Sequence, residues 1–291
     1  MTDDDWVPAW FNPTKAFRGR EFVVLCGGRG AGKTTLILDI CYRAPHIFND
    51  PQSSGIILSG SEEGELLFSK YCPPAFMYYE NSPSALAKVI EQAKRERRTS
   101  GRCRQRWIIV DDLSDDPKIF KARVYRQLAM LGRHFNIFVM IAVHDACTLP
   151  IYIRNQVDYI FMLRTSAEID IQRLHKFYAG MFPSLKQMRD TFFATTQNRG
   201  ALVVHKTSTG LLHDSIFSYR AQTHGPFPIG SRAMFDYNAK VGKYPNPMFL
   251  QRLKQRRKRR SEQAHIEPFF PPIKRERGGR EREREPFSPL K

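Results

Sequence analysis

The stretch VLCGGRGAGKTTLI, residues 24–37, constrains the fold more than any other part of the chain. Residues 21–26, EFVVLC, read as a strand buried on both faces of a parallel sheet. The next eight residues, GGRGAGKT, fit GxxxxGK[ST], and a helix is predicted from about Lys33 to Tyr42. In a strand–loop–helix context, such glycines let successive backbone N–H groups turn inward around phosphates, and the helix N-terminus adds a favourable dipole. Gly27, Gly28, Arg29, Gly30, Ala31, Gly32, Lys33, Thr34 and Thr35 are therefore expected to cradle a nucleoside triphosphate. Lys33 is assigned to the β- and γ-phosphates, the Thr34 hydroxyl to Mg²⁺ and Thr35 to the neighbourhood of the α-phosphate.

Further short apolar runs follow: GIILS at 55–59, AFMYYE at 75–80, WIIVDDL at 107–113, NIFVMIAV at 136–143 and VDYIFML at 157–163. Helical spacing separates them at 83–97, 117–131 and, after the last, 168–193. This alternation predicts an α/β fold, a P-loop NTPase with a central, mostly parallel sheet flanked by helices. ALVVH at 201–205 and SIFSY at 215–219 are read as late strands, a closing hairpin at the sheet edge. WIIV ends in Asp111 and Asp112. Phosphoryl chemistry needs a carboxylate at such a strand end, so Asp111 is assigned to Mg²⁺ and Asp112 to the attacking water. The alternative is that the pair caps the helix at 117, although Asp115 and Asp116 sit nearer for that role.

Three segments are expected: a lead-in at 1–20, tacked on by Trp6, Trp10 and Phe11; an ATPase domain at 21–235; and a basic, disordered tail at 236–291. The chain has 46 Lys+Arg and 29 Asp+Glu, of which 16 and 7 lie in 236–291, so under a fifth of the length carries about half of the +17 net charge. Such an excess attracts polyanions, nucleic acid above all. Five cysteines without a CxxC pair argue against a disulfide framework or a zinc ribbon and suggest buried thiols in a reducing compartment. His144 and Cys147 lack a second ligand pair for a metal. No apolar run reaches eighteen residues, so no membrane role is expected, and the acidic start MTDDDWVPAW does not predict a secretory leader.

Which P-loop machine this is depends on residues 131–164, LGRHFNIFVMIAVHDACTLPIYIRNQVDYIFMLR. A GTPase switch would need DxxG after a strand, and no such glycine follows Asp111 and Asp112. Arg133-His134-Phe135-Asn136-Ile137 entering a strand, then Leu149-Pro150 through Phe161, resembles the FtsK/HerA superfamily, and more closely the poxvirus-type genome-packaging ATPases of large double-stranded DNA viruses. The late run IFSYRA at 216–221 resembles that family's closing strand, and the resemblance spans roughly 20–222. It implies a homo-oligomeric ring that hydrolyses ATP with Mg²⁺ and drives double-stranded DNA into a preformed capsid, meeting viral capsid or portal proteins. It also implies a nucleotide site shared between subunits. An arginine from the neighbour then meets transition-state charge, Arg133 as first choice and Arg154 as second, or either is a surface or salt-bridge arginine. The family usually has Gln where this chain has His144, the expected γ-phosphate sensor; a capped core histidine is the alternative.

The arginine-rich run RERRTSGRCRQR at 95–106 is a candidate DNA-backbone patch or a solvated surface. QRRKRR at 255–260 has the composition of a nuclear localisation signal, a nucleic-acid arm or a capsid-binding segment, which places the protein in the host nucleus or the virion. The competing functions are a nucleotide or nucleoside kinase, and a nucleotide-gated DNA- or capsid-binding protein. No nuclease constellation is recognisable.

Overall fold

Both faces of the central strands are apolar, and this dictates the architecture. Along Phe22–Cys26, Val23 and Leu25 enter one buried cluster while Phe22, Val24 and Cys26 enter the other, so no residue of the strand meets water. The computed structural model of the chain describes residues 6–79, 81–113, 117–208 and 211–241. Among these, the strands are β1 (Ala9–Trp10), β2 (Phe22–Cys26), β3 (Ser54–Ser59), β4 (Met77–Tyr79), β5 (Arg106–Asp111), β6 (Ile137–Val143), β7 (Tyr159–Leu163), β8 (Gly200–His205) and β9 (Ile216–Arg220). They form one sheet in the order β1-β9-β8-β7-β2-β6-β5-β3-β4. The run from β7 to β4 is parallel throughout, and β8 joins it antiparallel to both β7 and β9.

The helices are α1 (Pro13–Ala16), α2 (Lys33–Arg43), α3 (Pro45–Phe48), α4 (Glu62–Phe68), α5 (Pro83–Ser100), α6 (Arg123–Leu131), α7 (Ile151–Arg154), α8 (Glu168–Tyr178), α9 (Leu185–Thr195), α10 (Leu212–Ser215) and α11 (Arg232–Val241). α5 shows how sequence sets each one. Proline occupies its first turn, and Leu86, Val89, Ile90 and Ala93 bury one stripe at helical spacing. Gly101 ends it in the left-handed conformation (φ +69°), its N–H donating to Arg97 O at 3.0 Å.

Several expectations are corrected. α5 extends to Ser100 because the Thr99 and Ser100 hydroxyls bond back to Glu96 O, at 3.1 and 2.8 Å. Arg106 is already in β5, so only a short part of 97–106 is loop. The helix expected over 168–193 is two, α8 and α9. Pro183 cannot continue a helix, and the Ser184 side chain caps α9 by accepting from Gln187 N at 3.1 Å. The outer edge of the late hairpin is not open, because β1 adds to β9 in parallel. Of the lead-in aromatics, Phe11 is 2% exposed and packs edge-on against Tyr159 and Phe161, Trp6 packs half-buried against the core, and Trp10, though 59% exposed, lies against the Tyr219 ring with centroids 5.7 Å apart.

The tail boundary also shifts. α11 crosses residue 236, buries Met234 and accepts Ala75 N on Asn238 Oδ1 at 3.0 Å, so it is part of the body. Residues 242–291, with QRRKRR at 255–260, lie outside the described residues, as do Asp115 and Asp116. Cys26, Cys41 and Cys72 are buried thiols, while Cys147 is exposed and Cys103 half-buried. No described helix is long and apolar enough to cross a membrane.

Candidate nucleotide-binding site

In a parallel sheet the loops that follow the strands gather at one edge, and here that edge assembles the residues singled out from the sequence. Residues 27–32 connect β2 to α2. Gly30 (φ +75°) and Gly32 (φ +98°) adopt left-handed conformations that side chains rarely take, and Arg29 is exposed at the tip. A Cβ on Gly27 would lie 2.8 Å from Leu163 Cβ, so the floor of the loop permits only glycine there.

Lys33 is buried, and all three of its ammonium protons are engaged. It donates to Gly27 O at 2.8 Å, to Gly28 O at 3.0 Å and to His144 Nδ1 at 3.0 Å. Burial lowers its pKa, and the charges of Asp111 and Asp112 oppose that shift. Since Nδ1 accepts from a cation, His144 carries its proton on Nε2 and donates it to Asp112 Oδ1 at 2.7 Å. His144 stands one residue past β6, so a Lys33–His144–Asp112 chain links the loop to the end of β5.

Thr34 Oγ1 donates to Asp111 Oδ2 at 2.9 Å. Asp111 is 1% exposed, and its Oδ1 is buried with no partner. Burial pushes the Asp111 carboxyl up to about 6, aided by the charge of Asp112 and opposed by the Thr34 hydrogen bond. A hydroxyl and a carboxylate side by side, with one carboxylate oxygen left unpaired, suit a hard divalent cation that keeps most of its waters. Thr34 and Asp111 are the residues that would hold Mg²⁺.

Asp112 has φ +57°, a conformation uncommon outside glycine but tolerated by aspartate. Its carbonyl is the reason for a residue that sequence reasoning missed. A Cβ on Gly60 would lie 1.9 Å from Asp112 O, and Gly60 N donates to Asp111 O at 2.9 Å. Only glycine at the end of β3 lets the Asp111–Asp112 backbone turn there. The signal available was the Ser59-Gly60 pair that closes the strand GIILS.

The structure does not bring the two arginines to this site within one chain. Arg133 lies in the turn before β6, at the opposite edge of the sheet, and is ion-paired with the buried Asp158. Asp158 also accepts from Phe22 N at 2.8 Å, so the pair fixes the start of β2. Arg154, at the end of α7, lies over the Phe177 ring at 3.9 Å, and its Nε and Nη1 are buried without partners.

No model of a known protein family matches the chain. It is 28% identical over 225 residues to the uncharacterized protein 015R of Frog virus 3 (isolate Goorha), covering 75% of this chain and 68% of that protein. It is 27% identical over 231 residues to the uncharacterized protein 088R of Invertebrate iridescent virus 3, covering 77% and 86%. Among solved structures, the genome-packaging NTPase B204 of Sulfolobus turreted icosahedral virus 2 is similar with a TM-score of 0.49 and 16% identity, over 72% of this chain and all of that one. The cytoplasmic domain of the Thermomonospora curvata type VII secretion ATPase EccC is similar with a TM-score of 0.47 and 12% identity, over 70% and 25%. The chain is thus similar in sequence to uncharacterized proteins of large DNA viruses, and it carries a phosphate loop, a paired aspartate and a mostly parallel sheet in the arrangement of P-loop ATPases.

Proposed function

We propose that this chain is a Mg²⁺-dependent ATPase that moves double-stranded DNA, packaging a viral genome into a preformed capsid as a homo-oligomeric ring. The observation that carries the ATPase half is the Thr34–Asp111 pair with its orphaned Oδ1, set beside Lys33 on the loop. Bound Mg²⁺ would neutralise charge on the transferring phosphoryl group. Lys33 would exchange its contacts with Gly27 O, Gly28 O and His144 for phosphate oxygens. Asp112, with one oxygen held by the His144 Nε2–H, keeps the other to orient the attacking water.

The DNA half rests on the resemblance of residues 131–164 and 216–221 to packaging ATPases, and on relatives that belong to large DNA viruses. Exposed arginines at 95, 97, 98, 102 and 104 are our choice for gripping the phosphate backbone without reading bases. A ring also asks for a cation from the neighbouring subunit. Arg133, whose side chain is 56% exposed despite its ion pair, is the first choice and Arg154 the second. Mixing Arg133→Ala with Lys33→Ala subunits tests this: restored turnover supports a shared site, and none counts against it. QRRKRR would direct the protein to the host nucleus, which deletion of 251–291 and imaging of the product would test.

A further inference from the structure

We infer that a cavity of about 370 Å³ beside the phosphate loop is the seat of the base and ribose of the nucleotide. This rests on the reading of residues 27–35 as a triphosphate loop. The strand order supplies the direction. Asp111, Asp112 and His144 lie on the β5–β6 side of β2. The cavity lies on the opposite side, where Leu163 ends β7, Ala201 lies in β8 and Ala221 follows β9. Gly32 and Thr35, on α2's first turn, form the boundary between the two. A triphosphate whose terminal phosphate meets the aspartates therefore leads its nucleoside toward this cavity.

The lining suits such a group. Leu163 and Ala201 give an apolar floor, and Thr35, Arg199, Gln222 and Thr223 give a polar rim. The volume falls within the roughly 300–1,000 Å³ of small-ligand sites. Arg199 is held in a left-handed conformation (φ +60°) directly after Asn198 (φ +50°), two non-glycine residues in a turn that backbone energetics disfavour. A guanidinium is well suited to lie against the face of a base.

The outer wall is fastened to the loop's own helix. Asp39, fully buried in α2, accepts from the Tyr219 hydroxyl, from Arg43 Nε at 3.1 Å and from His224 Nε2 at 2.5 Å. Arg43 Nη2 donates to Gln222 Oε1 at 2.8 Å, and the His224 ring stacks on Tyr42 with centroids 3.8 Å apart. Gln222 and His224 are thereby held against the C-terminal half of α2, which keeps the intervening Thr223 beside the helix, by a network independent of any ligand. Among the described residues no carboxylate lines the cavity, and the side-chain carbonyl of Gln222 is already engaged, so guanine's N1–H and amino group meet no charged acceptor there. Recognition is by shape and stacking, which adenosine satisfies.

The test uses the full chain with Ala221→Trp, which fills the cavity from its half-buried rim. Thr223→Trp, at an exposed position, is the second obstruction should the first lower the melting temperature. Binding of a fluorescent ATP analogue and of inorganic tripolyphosphate is measured on each variant. The expected result is ATP affinity weakened about tenfold or more, with tripolyphosphate affinity within about twofold of the unaltered chain. Unchanged ATP affinity in a folded variant overturns the assignment. If neither ligand binds the unaltered chain, the triphosphate reading itself falls, and this inference with it.

Discussion

The two edges of the sheet are chemically opposite. At the edge where the parallel strands end, the buried Lys33 sits among Asp111, Asp112 and His144. At the edge where they begin, arginines dominate: Arg18, Arg20, Arg104 and Arg133 are exposed there, and Arg97 donates to His134 O beneath α5. The first edge is pre-assembled through buried, strained or orphaned groups. At the second, Arg97, Arg106 and Arg133 are committed to His134 O, Glu96 and Asp158, contacts that tie loops together. The difference shows that structural pairing and chemistry need not share arginines. Within one chain Arg133 is a clasp for β2, and it becomes catalytic only if a neighbour's site comes to it.

The largest effect is expected from Lys33→Ala, which removes the charge on the loop and should lower ATP turnover by about 10³-fold or more, measured as phosphate release. Next comes Asp112→Asn, which leaves the ring hydrogen bond of His144 with a neutral partner. Turnover should fall by about 10²-fold or more while nucleotide affinity stays within a few fold. A kcat unchanged in that variant would remove Asp112 from the chemistry. Arg133→Ala sharpens the comparison from the other edge. Denaturant unfolding should show a loss of about 1 kcal/mol, discounted for the exposure of the arginine, and nucleotide affinity should not change. A fall in turnover of the assembled protein on top of that loss would mark the trans role.

Asp111→Asn separates function from stability. A carboxyl raised to about 6 binds its proton more tightly folded than unfolded, so the metal-free protein loses stability from this group as pH rises from about 4 to about 6. The asparagine variant should lack that loss and gain about 1–3 kcal/mol near neutral pH, while losing hydrolysis. A lower melting temperature in thermal unfolding without metal would refute the orphaned-oxygen account. The smallest effect on the fold is expected from Arg98→Ala with Arg102→Ala, within about 0.5 kcal/mol. Duplex-DNA affinity should nonetheless fall and its salt dependence flatten by about one unit of slope per lost contact.

What was legible in the sequence is what covalent adjacency encodes. The loop GGRGAGKT, the apolar runs and the Asp111–Asp112 pair are local patterns, and the parallel sheet follows from continuous apolar strands that must be covered on both faces. The partners of His144 were not legible, because Lys33 and Asp112 meet it only through the pairing of β2, β6 and β5. Gly60 was missed for the same reason: its neighbour, Asp112 O, is fifty-two residues away in the chain. The Asp39–Tyr219–His224 clamp joins residues some 180 apart, and nothing local marks Asp39 as buried. β1 is two residues long and pairs only because β9 offers an edge, so propensity could not reveal it.

The proposed function couples ATP hydrolysis at this loop to duplex DNA. It is tested most directly by ATP turnover of the full chain with and without double-stranded DNA, on material whose oligomeric state has been measured. Duplex DNA is expected to raise kcat several-fold in the assembled form and to have no effect on Lys33→Ala. Turnover that is the same with and without DNA in an assembled ring would contradict it.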